Sequence, residues 1–502
     1  MRYVLILLVF VLTVVSGSGA TPLPWEVIWE PETLLTNPNY TNSTEGAPGQ
    51  SKIAVTSNGQ VHVVWHSSRD TPRRPQIYYK RFIPGEGWSD DTCISGDLAQ
   101  GEQCCTPAIA CDSQGNLHVV WRQYLGYNIW YKMRQADGVW DSLSTLLSVP
   151  STLTRYTPVV TCTPDNHVHV VWGEYYPLYG YWLVHRERVG PDWLPQCTVD
   201  SLEPTCLLFN PGITSDRNNN LHLTYSLQGG RRGTVQVYYR CRSEGVWLPR
   251  ERASLGSDSI SQSCPSISVN PLSNEPHIVW WAPISQSSHN LIFHSWRAQG
   301  GWQEREIICD TDYAQNSPSL IFTGDGVGHV VWAGLYGGEV MLIYNERTAS
   351  GQWLGPAVLT TDTIGKSYLF LTNGGRSQDS NHLYVVWTWD RPGTGIDQVY
   401  FKQGRPGPQG VRWDEDVLAG PVLGAPLSVT GLGRIAYAVD HTGFVRLKLY
   451  DATGRLVQEL VAGKQEKGNY TARIPEGVCS GIYFVRLEVP GYQETAKAVL
   501  LR

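Results

Sequence analysis

The chain has 502 residues, a formal net charge of -6 and a pI near 6.1, so its charge gives no electrostatic basis for a nucleic-acid or anionic-membrane partner. It contains 20 Trp and 26 Tyr but only 9 Phe and 3 Met, together with 50 Gly and 31 Pro. This composition suits many short strands joined by turns and disfavours a helical protein.

A signal peptide is predicted at residues 1–20. Val4 to Val15 form an uncharged apolar run, and the small residues that a signal peptidase requires end at Ala20. A membrane anchor is the alternative, but the run is shorter than the roughly 20 residues that a spanning helix needs. We therefore expect an exported protein with no transmembrane segment in the mature chain.

Seven copies of one unit follow. Each contains a short apolar strand, B, that ends in an aromatic residue, and six of the seven begin it with His. The closing aromatics are Trp65, Trp121, Trp172, Tyr225, Trp280, Trp332 and Trp387. Their spacing of 51 to 56 residues is in the range of one β-propeller blade. Strand B lies between an apolar strand A and an aromatic strand C, and a Trp such as Trp140 then opens strand D.

Four short strands joined by turns form a meander. Here the meander is apolar on both faces, so each sheet must pack against a neighbour on both sides. Radial stacking does this and protects the strand edges. We predict an all-β protein with a seven-bladed β-propeller over residues 21–424, its repeats beginning near residue 49. An open β-solenoid is the alternative, although its coils are usually shorter and lack hairpin turns such as Asn58-Gly59.

The segment before the repeats is predicted to close the ring. Trp29 to Thr36 has the same spacing of Trp and Thr as Trp353 to Thr360, which is strand D of the sixth copy. We therefore predict that residues 25–36 pair with the last blade, in competition with the strand after Trp413.

The repeat resembles a known family. Asp112 to Trp121, followed by Ile129 to Lys132, is similar to the repeats of sialidase-like (BNR-type) β-propellers, and the resemblance covers about residues 49–420. It implies a sialidase-like glycoside hydrolase as one hypothesis. However, Asp112, Gly115 and Trp121 lie further apart than in the sialidase Asp-box, and the Arg-Ile-Pro motif stands at Arg473 to Pro475 instead of opening the propeller.

The tail resembles a second family. Val445 to Val457, Ser480 to Leu487 and Lys497 to Arg502 look like a type A sorting domain of type IX secretion, a pattern that flagellar hook-cap Ig-like domains share. The resemblance covers about residues 425–502. It implies an Ig-like β-sandwich that engages the secretion machinery, and a secreted or bacterial cell-surface location. A structural Ig module is the alternative.

Repeated His and Asp residues raise the question of metal binding. The six His would form a wide ring with one member in each blade, and we interpret them as core residues that bond backbone or neighbouring-blade polar groups. The repeated acids are interpreted as turn residues that bond their own backbone: Asp112, Asp165, Asp216 and Asp325. Zincin, nucleophile-elbow and phosphate-loop motifs are missing, so we predict no metal, no cofactor and no catalytic residue.

Loop parity predicts the ligand-binding face. In a four-stranded meander the B-to-C and D-to-A loops emerge on one face, and the B-to-C loops are rich in Arg and aromatic residues that suit a sugar or peptide. The residues predicted to bind are Arg69, Arg122, Tyr124, Glu174, Tyr176, Arg232, Trp389, Asp390 and Arg391. The first hypothesis is therefore non-catalytic recognition of a glycan or protein, and the alternatives are the hydrolase and a purely structural surface protein.

Eleven Cys in an exported chain favour disulfides. Cys197 follows the Trp of one strand D and Cys206 precedes the next strand A, so we predict a bridge between them. The same layout predicts a bridge from Cys93 to Cys104 or Cys105. Cys111 and Cys162 occupy equivalent ends of strand A in adjacent blades, either as a bridge or as small core residues.

Overall fold

The structure is a computed structural model, and it describes most of the chain from residue 27 to residue 500. The described ranges are 27–44, 50–69, 74–98, 102–124, 127–149, 153–201, 206–229, 233–256, 258–285, 289–309, 314–336, 339–360, 369–373, 382–390, 396–406, 427–429, 434–439, 443–451, 454–475, 477–479, 481–489 and 492–500. The described residues form antiparallel sheets and no helix. Within these ranges there is accordingly no helix of the length and hydropathy that a membrane crossing requires. The predicted signal peptide and the strand after Trp413 lie outside them.

The first two strands are short and belong to the last sheet of the ring described below. They are β1 (Val27–Trp29) and β2 (Thr33–Leu34).

Sheets 1 to 3 follow in chain order. Sheet 1 contains β3 (Asn42–Ser43), β4 (Ile53–Val55), β5 (Val61–Ser67), β6 (Gln76–Ile83), β7 (Gly87–Trp88) and β8 (Thr92–Cys93). Sheet 2 contains β9 (Cys104–Cys111), β10 (Leu117–Gln123), β11 (Ile129–Arg134) and β12 (Thr145–Leu146). Sheet 3 contains β13 (Thr154–Arg155), β14 (Val159–Cys162), β15 (Val168–Tyr176), β16 (Gly180–Val189), β17 (Asp192–Trp193) and β18 (Cys197–Ser201).

Sheets 4 to 7 repeat the same plan. Sheet 4 contains β19 (Leu207–Ser215), β20 (Leu221–Gln228), β21 (Val235–Ser243), β22 (Val246–Trp247) and β23 (Glu251–Arg252). Sheet 5 contains β24 (Ser263–Val269), β25 (Pro276–Pro283), β26 (Asn290–Ala298), β27 (Gly301–Trp302) and β28 (Glu306–Ile307). Sheet 6 contains β29 (Gln315–Phe322), β30 (Gly328–Tyr336), β31 (Glu339–Arg347) and β32 (Ala357–Val358). Sheet 7 contains β33 (Leu369–Asn373), β34 (Leu383–Asp390) and β35 (Asp397–Pro406), with β1 and β2.

The sheets stand side by side in a ring. The strands at position A contact one another in cyclic order, and β33 of sheet 7 contacts β4 of sheet 1. Strands A of sheets 1 to 6 line a central cavity of about 260 Å³. The closing aromatics of the B strands are buried between sheets, which agrees with the prediction that both faces of each meander are covered.

The two ends of the ring meet in sheet 7. Strand β1 pairs with β35 from Val27 opposite Pro406 to Trp29 opposite Gly404, and β2 pairs with the same strand at Thr33 opposite Phe401. A Cβ at Gly404 would lie 2.7 Å from a Val27 methyl group, so a glycine permits this close approach. The N-terminal segment thus supplies the outer strands of the seventh sheet.

A separate pair of sheets forms the C-terminal part. One contains β36 (Leu427–Val429), β37 (Arg434–Val439) and β40 (Gly468–Arg473). The other contains β38 (Gly443–Asp451), β39 (Leu456–Gln465), β41 (Gly481–Val489) and β42 (Tyr492–Leu500). Their apolar residues, among them Ile435, Val445 and Leu487, pack into one core, so this part is a two-sheet sandwich.

The predicted bridge between Cys197 and Cys206 is not found: the two described residues are not joined. Cys197 begins β18 and Ser201 ends it, so a five-residue strand separates Cys197 from the connection to sheet 4. At about 3.3 Å per residue this strand places Cys197 roughly 13 Å from Ser201, where the connection begins. The Cys197 thiol instead lies 3.6 Å from Nδ1 of His185. The other cysteine pairings stay predictions.

Candidate functional site

The most prominent group on the B-to-C face surrounds Arg122, near the end of β10. Its guanidinium carbon lies 5.5 Å from the ring centre of Tyr124, 5.2 Å from that of Tyr127 and 6.0 Å from that of Tyr156. These distances are in the range of cation–π contacts. Arg122 Nε is buried and has no hydrogen-bond partner among the described residues, while Tyr124 is 52% exposed. A cation is therefore held between aromatic rings beside solvent.

Tyr156 connects this group to sheet 3. Its hydroxyl lies 3.4 Å from that of Tyr181, and the two ring centres are 5.5 Å apart. Tyr175 packs against Tyr181 at 4.9 Å. Burial, and then the hydrogen bond with Tyr181, raise the pKa of Tyr156 above its ordinary value, so its hydroxyl stays protonated. We call Arg122 with Tyr124, Tyr127, Tyr156, Tyr175 and Tyr181 the tyrosine cluster.

Glu174 supports the same face from beneath. Its carboxylate accepts hydrogen bonds from Arg155 Nε at 2.7 Å, from the Trp172 indole at 2.9 Å and from the Tyr176 hydroxyl at 2.6 Å. Burial and this carboxylate raise the pKa of Tyr176 to about 12. Glu174 is only 1% exposed, so it holds β15 and the Tyr176 ring in place and offers no charge to a ligand.

The remaining predicted residues lie apart from the cluster. Arg69 forms an ion pair with Asp91 and lies over the ring of Tyr78 at 4.6 Å, beside a polar cavity of about 520 Å³. Trp389 is half-buried and packs on Tyr400 at 5.1 Å. Asp390 is the last residue of β34, and Arg232 and Arg391 lie outside the described residues.

The structure therefore brings Arg122 and Tyr124 together, and separately Glu174 and Tyr176. The residues that the sequence reasoning missed are Tyr156 and Tyr181, which extend the Arg122 group onto sheet 3. Tyr156 lies in the D-to-A connection that leads from sheet 2 to sheet 3. The parity rule that selected the B-to-C loops places D-to-A loops on the same face. Applying the rule to both kinds of loop would have found Tyr156.

The repeated histidines are core residues, as interpreted from the sequence, but their partner lies in strand C of the same sheet. Nδ1 of His62 is 2.7 Å from the Tyr79 hydroxyl, and His329 has the same distance to Tyr344. Burial lowers the pKa of His62 to about 3 and that of His329 to about 4. The imidazoles of His62 and His329 are therefore neutral and structural.

The interpretation of the repeated Asp residues as turn residues is confirmed where their bonds are described. Asp112 Oδ1 accepts the backbone N–H groups of Gln114 at 2.9 Å and Asn116 at 2.8 Å. Asp216 does the same for Asn218 and Asn220 at 2.8 and 2.9 Å. These bonds fix the A-to-B turns.

No family model and no curated protein matches the sequence. Among solved structures, an ulvan lyase of polysaccharide lyase family PL25 matches with a TM-score of 0.51 and 10% identity, over 72% of this chain and 93% of that chain. The lectin BP39L of Burkholderia pseudomallei matches with a TM-score of 0.49 and 11% identity, over 70% of this chain and 96% of the lectin.

An α-L-arabinanase of Penicillium chrysogenum matches with a TM-score of 0.45 and 13% identity, over 62% of this chain and 94% of the enzyme. The similarity to the lyase concerns the fold alone. Together with the ring of antiparallel sheets, it defines the protein as a β-propeller.

Proposed function

We propose that this protein is an exported, seven-bladed β-propeller that binds a glycan without catalysing a reaction, through the tyrosine cluster. The seven sheets between residues 27 and 406 and the cyclic contacts of their A strands support the blade count. The PL25 protein of similar fold is a polysaccharide lyase, which is consistent with a carbohydrate ligand here.

The arrangement around Arg122 carries the proposal. Tyrosine rings offer flat apolar faces and a hydroxyl, which suits the apolar faces and hydroxyl groups of a sugar ring. Arg122 adds a planar, positively charged guanidinium beside these rings. Because a guanidinium matches a carboxylate or sulfate in a two-pronged geometry, the cluster favours an acidic oligosaccharide over a neutral one.

Glu174 supports binding without catalysis. An acid or nucleophile in a glycosidase must reach the glycosidic bond. The Glu174 carboxylate is buried beneath the surface and accepts three hydrogen bonds from Arg155, Trp172 and Tyr176. The one carboxylate that the sequence predicted beside the cluster therefore serves as a structural support.

Export and delivery form the second part of the proposal. The leader at residues 1–20 directs export, and residues 425–502 form an Ig-like sorting domain that addresses the protein to type IX secretion. The two-sheet sandwich over residues 427–500 is consistent with that assignment. Deletion of residues 425–502 tests this sorting role. A type IX-competent host should then retain the propeller in its periplasm, and unchanged secretion would contradict the sorting role.

Binding and catalysis are separated by two assays on the mature chain. A glycan array with neutral, uronic-acid and sulfated oligosaccharides should show binding, strongest for the acidic members. A panel of fluorogenic glycosides, sialosides included, should show no turnover above that of heat-denatured protein. Robust hydrolysis would replace the proposal by the sialidase-like alternative. If no glycan on the array binds and a protein is captured from surface extracts, a protein ligand would be favoured.

A further inference from the structure

Sheet 3 contains a group of potential metal ligands on the face opposite the tyrosine cluster. One nitrogen from each of His167 and His169 and one carboxylate oxygen of Glu187 lie within 4.8 Å of one another. His167 precedes β15, His169 lies in β15, and Glu187 lies opposite His169 in β16. These residues border an open cavity of about 490 Å³. His167 is partly exposed to this cavity, whereas His169 and Glu187 are buried at its base.

We propose that His167, His169 and Glu187 form a binding site for a divalent transition-metal ion, with Zn²⁺ as the best-matched ion. Two imidazoles and one carboxylate are ligands that Zn²⁺ takes in proteins, and a fourth position then remains for water or a further ligand. Imidazole nitrogens disfavour Ca²⁺ and Mg²⁺, which prefer oxygen ligands. Asp165, whose carboxylate is 3.9 Å from Nδ1 of His167, is placed to fill the fourth position directly or through water.

The outer hydrogen bonds suit this role. Nδ1 of His169 lies 3.1 Å from Nε2 of His185, and Nδ1 of His185 lies 3.6 Å from the Cys197 sulfur. Nδ1 of His169 is thus engaged by His185, and Nε2, which lies 3.4 Å from Thr163 Oγ1, is the nitrogen offered to a metal. Metal-binding imidazoles usually have such a partner on the other nitrogen, because it fixes the tautomer and the ring orientation.

The repeat itself shows that this group is not a by-product of the fold. Each of the other sheets has two positions equivalent to those of His167 and Glu187. Among the described residues, no other sheet has both a His at the first position and a carboxylate at the second. The equivalent pairs are Gln60 and Arg81, Asn116 and Met133, Asn220 and Cys241, Glu275 and Trp296, Val327 and Glu346, and His382 and Gln403.

Arg242 acts against metal binding and gives the proposal a sharp test. Its guanidinium lies 2.7 Å from Oε2 of Glu187, whereas Oε1 lies 2.9 Å from Nδ1 of His167. A fixed cation beside the carboxylate repels a second cation. The variant Arg242→Gln should therefore bind Zn²⁺ more tightly than the wild type, by about threefold or more.

The experiment is a calorimetric titration of Zn²⁺ into untagged, chelator-treated mature protein at pH 7.5, with Co²⁺ absorption as a report on the ligands. One ion should bind per chain, and His167→Gln and Glu187→Gln should each weaken binding at least tenfold. The matched control is His382→Gln, which removes the imidazole at the equivalent position of sheet 7 and should leave the affinity unchanged.

Circular dichroism of the metal-free variants checks that they are folded, and His167 is suited to substitution because its side chain is partly exposed. Absence of saturable Zn²⁺ binding to the wild type would overturn the site. Unchanged affinity in folded His167→Gln, or weaker binding in Arg242→Gln, would also overturn it.

Discussion

Arg155 donates a hydrogen bond of 2.7 Å from its Nε to Glu174, and both side chains are 1% exposed. Removing one member of a buried ion pair leaves the other charge without compensation, which costs about 3–5 kcal/mol. We predict that Arg155→Met lowers the free energy of unfolding by about this amount, as measured by urea denaturation followed by tryptophan fluorescence.

The partly exposed pair between Arg297 and Glu251 in the same propeller provides the control, since the two side chains are 37% and 34% exposed. Surface pairs contribute about 0–1 kcal/mol, so Arg297→Gln should have little effect. Equal effects of the two substitutions would show that the Arg155–Glu174 pair does not hold the candidate face in place.

A second prediction concerns closure of the ring by the N-terminal segment. Thr36 donates a hydrogen bond from Oγ1 to Gln398 Oε1 at 2.8 Å and accepts one from the backbone N–H of Val399 at 3.0 Å. Thr36→Val removes the hydroxyl that bonds the Gln398 side-chain carbonyl and the Val399 backbone N–H in sheet 7. We expect a loss of about 1–3 kcal/mol in the free energy of unfolding.

Thr33→Val is the matched control, because Thr33 lies in the same segment with its side chain exposed. Its effect should stay within about 0.5 kcal/mol. Destabilisation by Thr33→Val alone, with none by Thr36→Val, would contradict the observed pairing of the two chain ends.

The buried histidines predict a loss of stability in acid. His62 has a folded-state pKa of about 3, below the ordinary value of 6.5. As the pH falls below 6.5, the unfolded chain takes up a proton that the folded protein does not, so stability is lost between about pH 6.5 and pH 3. The loss is about 1.4 kcal/mol per pH unit for each such His, or about 2 kcal/mol at pH 5.

Sheet 7 supplies the design for a test, since it carries Tyr384 and Phe401 at the positions of His62 and Tyr79, with ring centres 6.1 Å apart. The double variant His62→Tyr with Tyr79→Phe should lose about 2 kcal/mol less than the wild type between pH 7.5 and pH 5. Tyr79→Phe alone keeps the imidazole and should keep the acid sensitivity. An identical pH profile in all three proteins would show that His62 does not contribute.

The sequence predicted the repeated meander well because each B strand carries a closing aromatic and a hairpin turn at constant spacing. The turn role of Asp112 was equally predictable, because its carboxylate bonds backbone N–H groups only two and four residues along the chain. Side-chain partners between strands were harder: the tyrosine hydroxyl that bonds His62 lies in strand C, and its register depends on pairing that spacing alone does not give. The same limit affected Cys197, which lies at the far end of β18 from the connection that the disulfide prediction assumed.

The candidate site shows a second limit. Arg122 and Tyr124 were selected because they lie in a B-to-C loop rich in Arg and aromatic residues, whereas Tyr156 approaches Arg122 only when sheets 2 and 3 pack side by side. Contacts between sheets depend on the ring geometry. Glu174 was predicted to bind a ligand, but its carboxylate is buried between Arg155 and Trp172, which the sequence does not reveal.

The central claim is tested most directly by measuring glycan binding to the wild type and to variants of the tyrosine cluster. Tyr124→Ala removes an exposed ring beside Arg122, and Tyr179→Ala removes a ring that is 67% exposed in the β15–β16 hairpin, outside the cluster. On the array of neutral, uronic-acid and sulfated oligosaccharides, the wild type should bind acidic members. Tyr124→Ala should bind them roughly tenfold more weakly, equivalent to about 1.4 kcal/mol, while Tyr179→Ala should match the wild type. Equal binding by folded Tyr124→Ala and the wild type, or no binding by the wild type to any glycan, would contradict the proposal.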